Sequence, residues 1–147
     1  MTHAANQQKA PWHFWLVGLI GLPWNGFGAY DYFMSQSGGG AYLRSLGMTD
    51  AQIAYFAAMP AWAISVWAIG VWGALAGTIL LLLRRKWALP VYVISFLAFL
   101  LSLVYTYALS DGARIMGDGW VMSLVIAAGC IFFIWYAFAM RKRGLLR

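Results

Sequence analysis

Gly21-Leu22-Pro23-Trp24-Asn25-Gly26-Phe27-Gly28-Ala29-Tyr30-Asp31-Tyr32-Phe33-Met34-Ser35 decides the reading of this chain. The stretch lies in an apolar run long enough to cross a membrane, yet it holds a proline, an asparagine, three glycines and a carboxylate. An unpartnered polar group in hydrocarbon costs several kcal/mol, so a lipid-facing helix avoids such residues. The stretch therefore predicts a helix that turns one side to protein or water, with three plainer helices packed around it.

Composition supports this outward from the stretch. The 147 residues are 63% hydrophobic and 10% charged, with a mean hydropathy of +0.72. Soluble domains are nearer half apolar and a quarter charged, so lipid must cover much of this core. The length suits one domain. The run 12–34 is longer than the apolar segment of a secretory leader and lacks a convincing cleavage site, which predicts a retained first span. Further spans are expected at 60–83, 88–110 and 119–140, each long enough for a hydrocarbon layer of about 30 Å. The fold class is all-α: a four-helix membrane bundle of one domain, 1–147.

Charge sets the expected orientation. With both termini and the Arg84-Arg85-Lys86 turn on one side, that side holds eight of the ten Lys and Arg and no acids. The other side holds Arg44, Arg114 and the four carboxylates Asp31, Asp50, Asp111 and Asp118. The bias of basic residues places both termini in the cytoplasm. The net charge of +6 is thus a topology signal, not a nucleic-acid footprint. Tyr30, Tyr32, Tyr105, Tyr107 and Trp120 fall at the outer interface, where amphipathic rings collect.

The first outer loop, 35–59, carries local signals. Gly38-Gly39-Gly40 predicts a flexible break, and Gly47 a C-terminal cap for a short turn over 41–46. Thr49-Asp50-Ala51-Gln52 fits a capping box opening a short amphipathic helix on the outer surface. A solvated loop is an equal reading. Pro23 predicts a kink, because it lacks an N–H and crowds the carbonyl one turn back.

Small and hydroxyl residues bring helices close in lipid. Gly18, Gly21, Asn25, Gly28 and Tyr32 form one continuous face of the first helix. Tyr92, Ser95, Phe99, Ser102 and Thr106 repeat the rhythm in the third, and Ser123, Ala127, Cys130 and Ile134 in the fourth. The second carries Gly73-Ala74-Leu75-Ala76-Gly77, a GxxxG that offers an interface to another copy. These stripes read either as packing seams or as the lining of a small polar cavity open to the outer side. Asn25 reads equally as a partner for carbonyls freed at Pro23 or as a ligand contact. Asp31 is the sole acid within an apolar run, which makes it a functional candidate; pairing with Arg44 or Arg114 is the alternative. Asp31 points off the stripe of Asn25.

No metal or other cofactor is called for. His3 and His13 have no ligand partners at their end, and no phosphate loop, nucleophile elbow or triad is present. The chain is not expected to be an enzyme. Cys130 alone allows no intrachain disulfide.

Pro23-Trp24-Asn25-Gly26, Gly28-Ala29-Tyr30-Asp31-Tyr32 and Met34, with Pro60-Ala61-Trp62, Ala68-Ile69-Gly70-Val71-Trp72-Gly73 and the run 80–86, resemble small bacterial four-helix membrane proteins. That group is uncharacterised and often catalogued as hypothetical or as sugar transporters. The resemblance spans nearly the whole chain and implies a bacterial inner-membrane protein handling a small solute. Where the group has a more charged first loop, this chain has Ser37-Gly38-Gly39-Gly40.

Two functions follow as expectations. One is a small-solute, sugar-like transporter or binder with Trp24, Asn25, Tyr30, Asp31, Tyr32, Trp72, Ser102 and Tyr105 as ligand contacts, needing a homo-oligomer to complete a path. The other is a non-catalytic accessory or assembly subunit of a larger membrane complex. A water-filled pocket reaching Asn25 favours the first, a dry interior the second.

Overall fold

A chain this rich in apolar residues must satisfy its backbone internally, and helices do so within one segment. The computed structural model describes residues 9–147, and among them every regular element is helical. His3 lies outside the described residues. Helix α1 runs Trp12–Ser45, α2 Asp50–Ala57, α3 Ala61–Leu82 and α4 Ala88–Val104. The last continues into a π-helical turn, Tyr105–Leu109, before the short α5, Gly112–Ile115, and α6, Gly119–Lys142. Three helical stretches are long and apolar enough to cross a membrane: Ala61–Leu82, Ala88–Leu109 and Gly119–Lys142.

The first helix runs further than expected. Pro23 lies inside α1, but the dihedrals leave the helical range only at Gly39, with φ 56° and ψ −139°. The break therefore falls within Gly38-Gly39-Gly40, as expected, where the backbone is free to adopt positive φ. The helix also resumes after Gly39 and runs to Ser45, past the expected end at 34. Gly47, at φ 83°, then stops it: Gly47 N–H donates to Arg44 O at 3.0 Å and Met48 N–H to Leu43 O at 3.3 Å. This is a Schellman cap, in which a left-handed residue returns two N–H groups to the last turn. The capping box at α2 is present, with Thr49 Oγ1 accepting from Gln52 N and Gln52 Oε1 from Thr49 N.

The helices lie antiparallel. The starts of α1 and α4 and the ends of α3 and α6 meet in one cluster of Phe14, Leu81, Ala88, Tyr92, Phe133, Tyr136, Ala137 and Met140. Leu145 and Leu146, beyond α6, are buried in the same cluster. This is the basic end of the bundle, since Lys9, Arg84-Arg85-Lys86 and Arg141-Lys142-Arg143 flank those helix ends. The four carboxylates lie at the other end.

Glycines set the helix spacing. A side chain at Gly18 would collide with Leu82, and one at Gly21 with Phe133 and Thr78, so α1 touches α3 and α6 closely. Gly70, Gly73 and Gly77 all face α4, against Ser95, Ala98, Phe99 and Tyr92. The expected role of the α3 GxxxG as an interface to a second copy is thus corrected: it is filled within the chain by Ser95 and Tyr92 of α4. Lipid is as apolar as leucine, so close packing and hydrogen bonds must hold such helices together.

This predicts opposite outcomes for two glycines. A Cβ at Gly77 would stand 2.7 Å from the Tyr92 ring, while one at Gly26 meets nothing within 4 Å. Gly77→Ala should lower the detergent-unfolding stability by about 1–3 kcal/mol. Gly26→Ala should be neutral or raise it by up to about 1 kcal/mol. Equal effects of the two would disprove the close α3–α4 approach.

Candidate binding cleft at the acidic end

Polar side chains in an apolar helix must find partners, and among the expected site residues Asn25 and Asp31 have found them. Asn25 is 9% exposed, and its amide donates to Thr78 Oγ1 at 2.7 Å. Thr78 is wholly buried and donates its one hydroxyl hydrogen to Ala74 O at 3.0 Å. Its two lone pairs are then left for Asn25 and for Tyr92 Oη at 2.7 Å, so Tyr92 is the donor. The triad joins α1, α3 and α4 with Thr78 fully satisfied. Asn25 does not serve the carbonyls near Pro23, as one reading held; it ties helices together. Thr78 was legible in the sequence only as one of the two hydroxyl residues of α3, with Ser65.

Asp31 accepts a hydrogen bond from Tyr42 Oη at 2.8 Å, across the Gly39 break. The expected arginine partners bind elsewhere: Arg44 pairs with Asp50 at 3.2 Å and Arg114 with Asp111 at 3.4 Å. The bond to Asp31, with burial second, pushes the Tyr42 phenol from 10.0 up to about 12. Asp31 and Asn25 have separate partners, Tyr42 and Thr78. Trp24 packs over Gly129 of α6 and is half exposed. Tyr30 and Trp72 are exposed. Ser102 is half-buried and its carbonyl accepts from Thr106 Oγ1.

Two other candidates meet a feature that the sequence did not reveal. Tyr32 stands edge-on to Trp67 at 4.9 Å between ring centroids, and Trp67 lies 5.8 Å from Phe56. Phe56 contacts Tyr55, which lies 6.1 Å from Tyr105, and Tyr105 is edge-on to Trp62 at 5.4 Å. Six rings thus run without interruption from α1 through α3 and α2 to the π-helical turn. Offset and edge-to-face pairs of this kind contribute about 0.5–1.5 kcal/mol each beyond area burial. Tyr55 Oη also meets Ser110 Oγ at 2.7 Å, and Gln52 Nε2 donates to Ile115 O at 3.3 Å. The helix α2 is therefore fastened across the mouth of the bundle.

Beneath it lies a cleft of about 180 Å³, bounded by Ser35, Gly39 and Gly40 of α1, Ile53 and Phe56 of α2, and Ile64 of α3. Buried helical hydroxyls usually donate to the carbonyl four residues back, as Thr78 does. Ser35 does not: its hydroxyl is the one buried side-chain nitrogen or oxygen among the described residues without a partner. An orphaned buried hydroxyl costs about 1–3 kcal/mol. No charged side chain lines the cleft. No group of three His, Cys, Asp or Glu able to share a metal occurs among the described residues. The chain matches no protein-family model, no curated protein and no solved structure.

Two predictions follow from these bonds. Thr78→Val should lower stability by about 1–2 kcal/mol by stranding Asn25 and Tyr92, while Thr78→Ser retains most of it; equal losses would dismiss the hydroxyl. A phenol raised in the fold stabilises it below pH 10.0, and that contribution fades as the pH climbs through about 12. NMR of ring-labelled tyrosine should find Tyr42 titrating near 12 and moving toward 10.0 in Asp31→Ala. A parent Tyr42 already titrating at 10.0 would contradict the bond.

Proposed function

We propose that this is a four-span inner-membrane protein, with both termini cytoplasmic, that binds a small uncharged amphiphilic molecule in the outer cleft beneath α2. The helix α1 supplies the fourth span. From Trp12 to the Gly39 break it is roughly 40 Å long at 1.5 Å per residue, and its polar groups have partners: Asn25 on Thr78 and Asp31 on Tyr42. Its lower apolarity is therefore compatible with a place in the bilayer.

The observation that carries the ligand reading is the unpartnered Ser35 hydroxyl in the apolar cleft. The Ser35 hydroxyl, with Gln36 next to it in the lining and Ile53, Phe56 and Ile64 around it, suits a molecule with an apolar body and one or two hydroxyl or carbonyl groups. The volume has room for a molecule of about benzene's size, by comparison with an engineered cavity of about 150 Å³ that binds it. The resemblance to proteins catalogued as sugar transporters pointed to passage through the bundle. The geometry favours capture at the mouth instead: Asn25 is buried and bonded, and the cleft does not extend to it.

A second reading, an accessory subunit, draws support from α6. Its buried residues, Phe133, Tyr136, Ala137 and Met140, all lie in the half near the basic end. Val121, Met122, Leu124 and Val125 are exposed in the other half, leaving a face that a larger complex can cover.

Native mass spectrometry after purification in mild detergent separates the two readings. The parent should carry a small neutral molecule that Ser35→Leu lacks, the variant remaining folded because leucine fills an apolar cleft. A stoichiometric foreign chain, with the cleft empty in both proteins, would overturn ligand binding and establish the accessory role.

A further inference from the structure

A cleft of about 180 Å³ with no charged side chain in its lining accepts a neutral molecule of about one six-membered ring. Such a ring is either saturated or aromatic, and two features of the wall separate the two. The first is its shape. On the α1 side, Gly39 and Gly40 present bare backbone, and a Cβ at Gly39 would meet nothing within 4 Å. At Gly40 the facing helix is close, since a Cβ there would stand 3.3 Å from Ile53 Cγ2. The bonds of Tyr55 to Ser110 and of Gln52 to Ile115 O hold α2 at that separation, and Tyr42 on Asp31 holds the segment after the Gly39 break. The cleft is therefore a slot between a peptide ribbon and the face of α2 that carries Ile53 and Phe56, one turn apart. A planar ring enters a slot that a puckered ring must widen.

The second feature is Phe56, the one aromatic residue among the described residues that line the cleft. It is half-buried, tilted by 46° to Trp67 and nearly perpendicular, at 83°, to Tyr55. The row of six rings thus passes along the cleft through this side chain. An aromatic occupant adds a ring to that row, with the edge-to-face or offset attraction that a saturated ring lacks. Ser35, 8% exposed and without a partner, supplies the polar end, and Gln36 follows it in the lining. A serine hydroxyl offers one hydrogen and two lone pairs, so it can give to or receive from a hydroxyl on the ring.

Resting on the reading that the cleft takes a small neutral molecule, we propose that it selects single-ring aromatics bearing a hydroxyl, the phenol class, over saturated alcohols of the same size. Ser35 bonds the hydroxyl, Phe56 contacts the ring, and the Gly39-Gly40 backbone forms the opposite wall.

The test titrates the full chain, isoleucine-methyl-labelled and held in mild detergent, with phenol, cyclohexanol and toluene in turn. NMR follows the methyls of Ile53 and Ile64, which line the cleft, against Ile94, which is exposed on α4. Phenol should shift Ile53 and Ile64 to saturation while Ile94 stays in place, with a Kd about fivefold below that of cyclohexanol. Toluene, which leaves Ser35 unbonded, should bind about fivefold more weakly than phenol. Phe56→Leu should shrink the preference for phenol over cyclohexanol to about twofold or less. Equal affinity for phenol and cyclohexanol in the parent would overturn the aromatic selection and leave the cleft reading intact. Toluene binding as tightly as phenol would remove the role of Ser35 and the phenol class with it. Failure of all three compounds to move Ile53 and Ile64, or equal movement of Ile94, would sink the cleft reading itself. Should Phe56→Leu detach α2, the ratio of phenol to cyclohexanol in the parent decides alone.

Discussion

The hydroxyl of Thr78 governs how three of the helices meet. It gives one hydrogen to Ala74 and receives one each from Asn25 and Tyr92, so its capacity is filled from α1, α3 and α4 together. In a bilayer there is little hydrophobic gain in pressing helix on helix, and the association rests on contact and on polar groups that have no alternative partner. The hydroxyl can reach its partners only if the backbones are close. Gly21 and Gly77, on either side of it, allow that approach by offering no Cβ to Phe133 or to Tyr92. Replacing any of these residues alone disturbs the others, because they share one small volume.

The two ends of the bundle are built differently around this centre. At the basic end, aromatic and aliphatic side chains from four helix termini close a dry cluster, and Leu145 and Leu146 plug it from below. At the acidic end the chain is interrupted repeatedly: α1 breaks at Gly39, α4 finishes in a π-helical turn, and α6 contributes no buried residue before Phe133. Stability there comes from the ring sequence and the fastening of α2, not from a packed core. Such irregular turns and lightly packed elements occur often at functional positions. The orphaned Ser35 hydroxyl lies at this end, within one turn of the Gly39 break.

Much of the helical framework was legible because its signals are local. Helices over 61–82, 88–109 and 119–142 follow from apolar runs bounded by Pro60, the Arg84–Lys86 turn and the segment around Asp111–Asp118. The Gly47 stop and the Thr49–Gln52 capping box follow from chemistry within a few residues. The faces of α1 and α4 were readable for the same reason: Gly18, Gly21 and Asn25, like Tyr92 and Ser95, recur at helical spacing and are buried.

What the sequence by itself determined is the helical class, the places where helices start and stop, the segregation of charge to opposite ends, and the faces that seek partners. These depend on propensity, capping and periodicity, which act over a few residues. Only the tertiary structure decided which partner each face took. It gave Asn25 to Thr78, Asp31 to Tyr42, and the GxxxG of α3 to α4. It also joined Tyr32 to Tyr105 through rings on α2 and α3, left Ser35 without a partner, and clipped Arg147 against Arg84. Each of these is a contact between residues distant in the chain. Periodicity tells a side chain which way to face, but not what it will meet there.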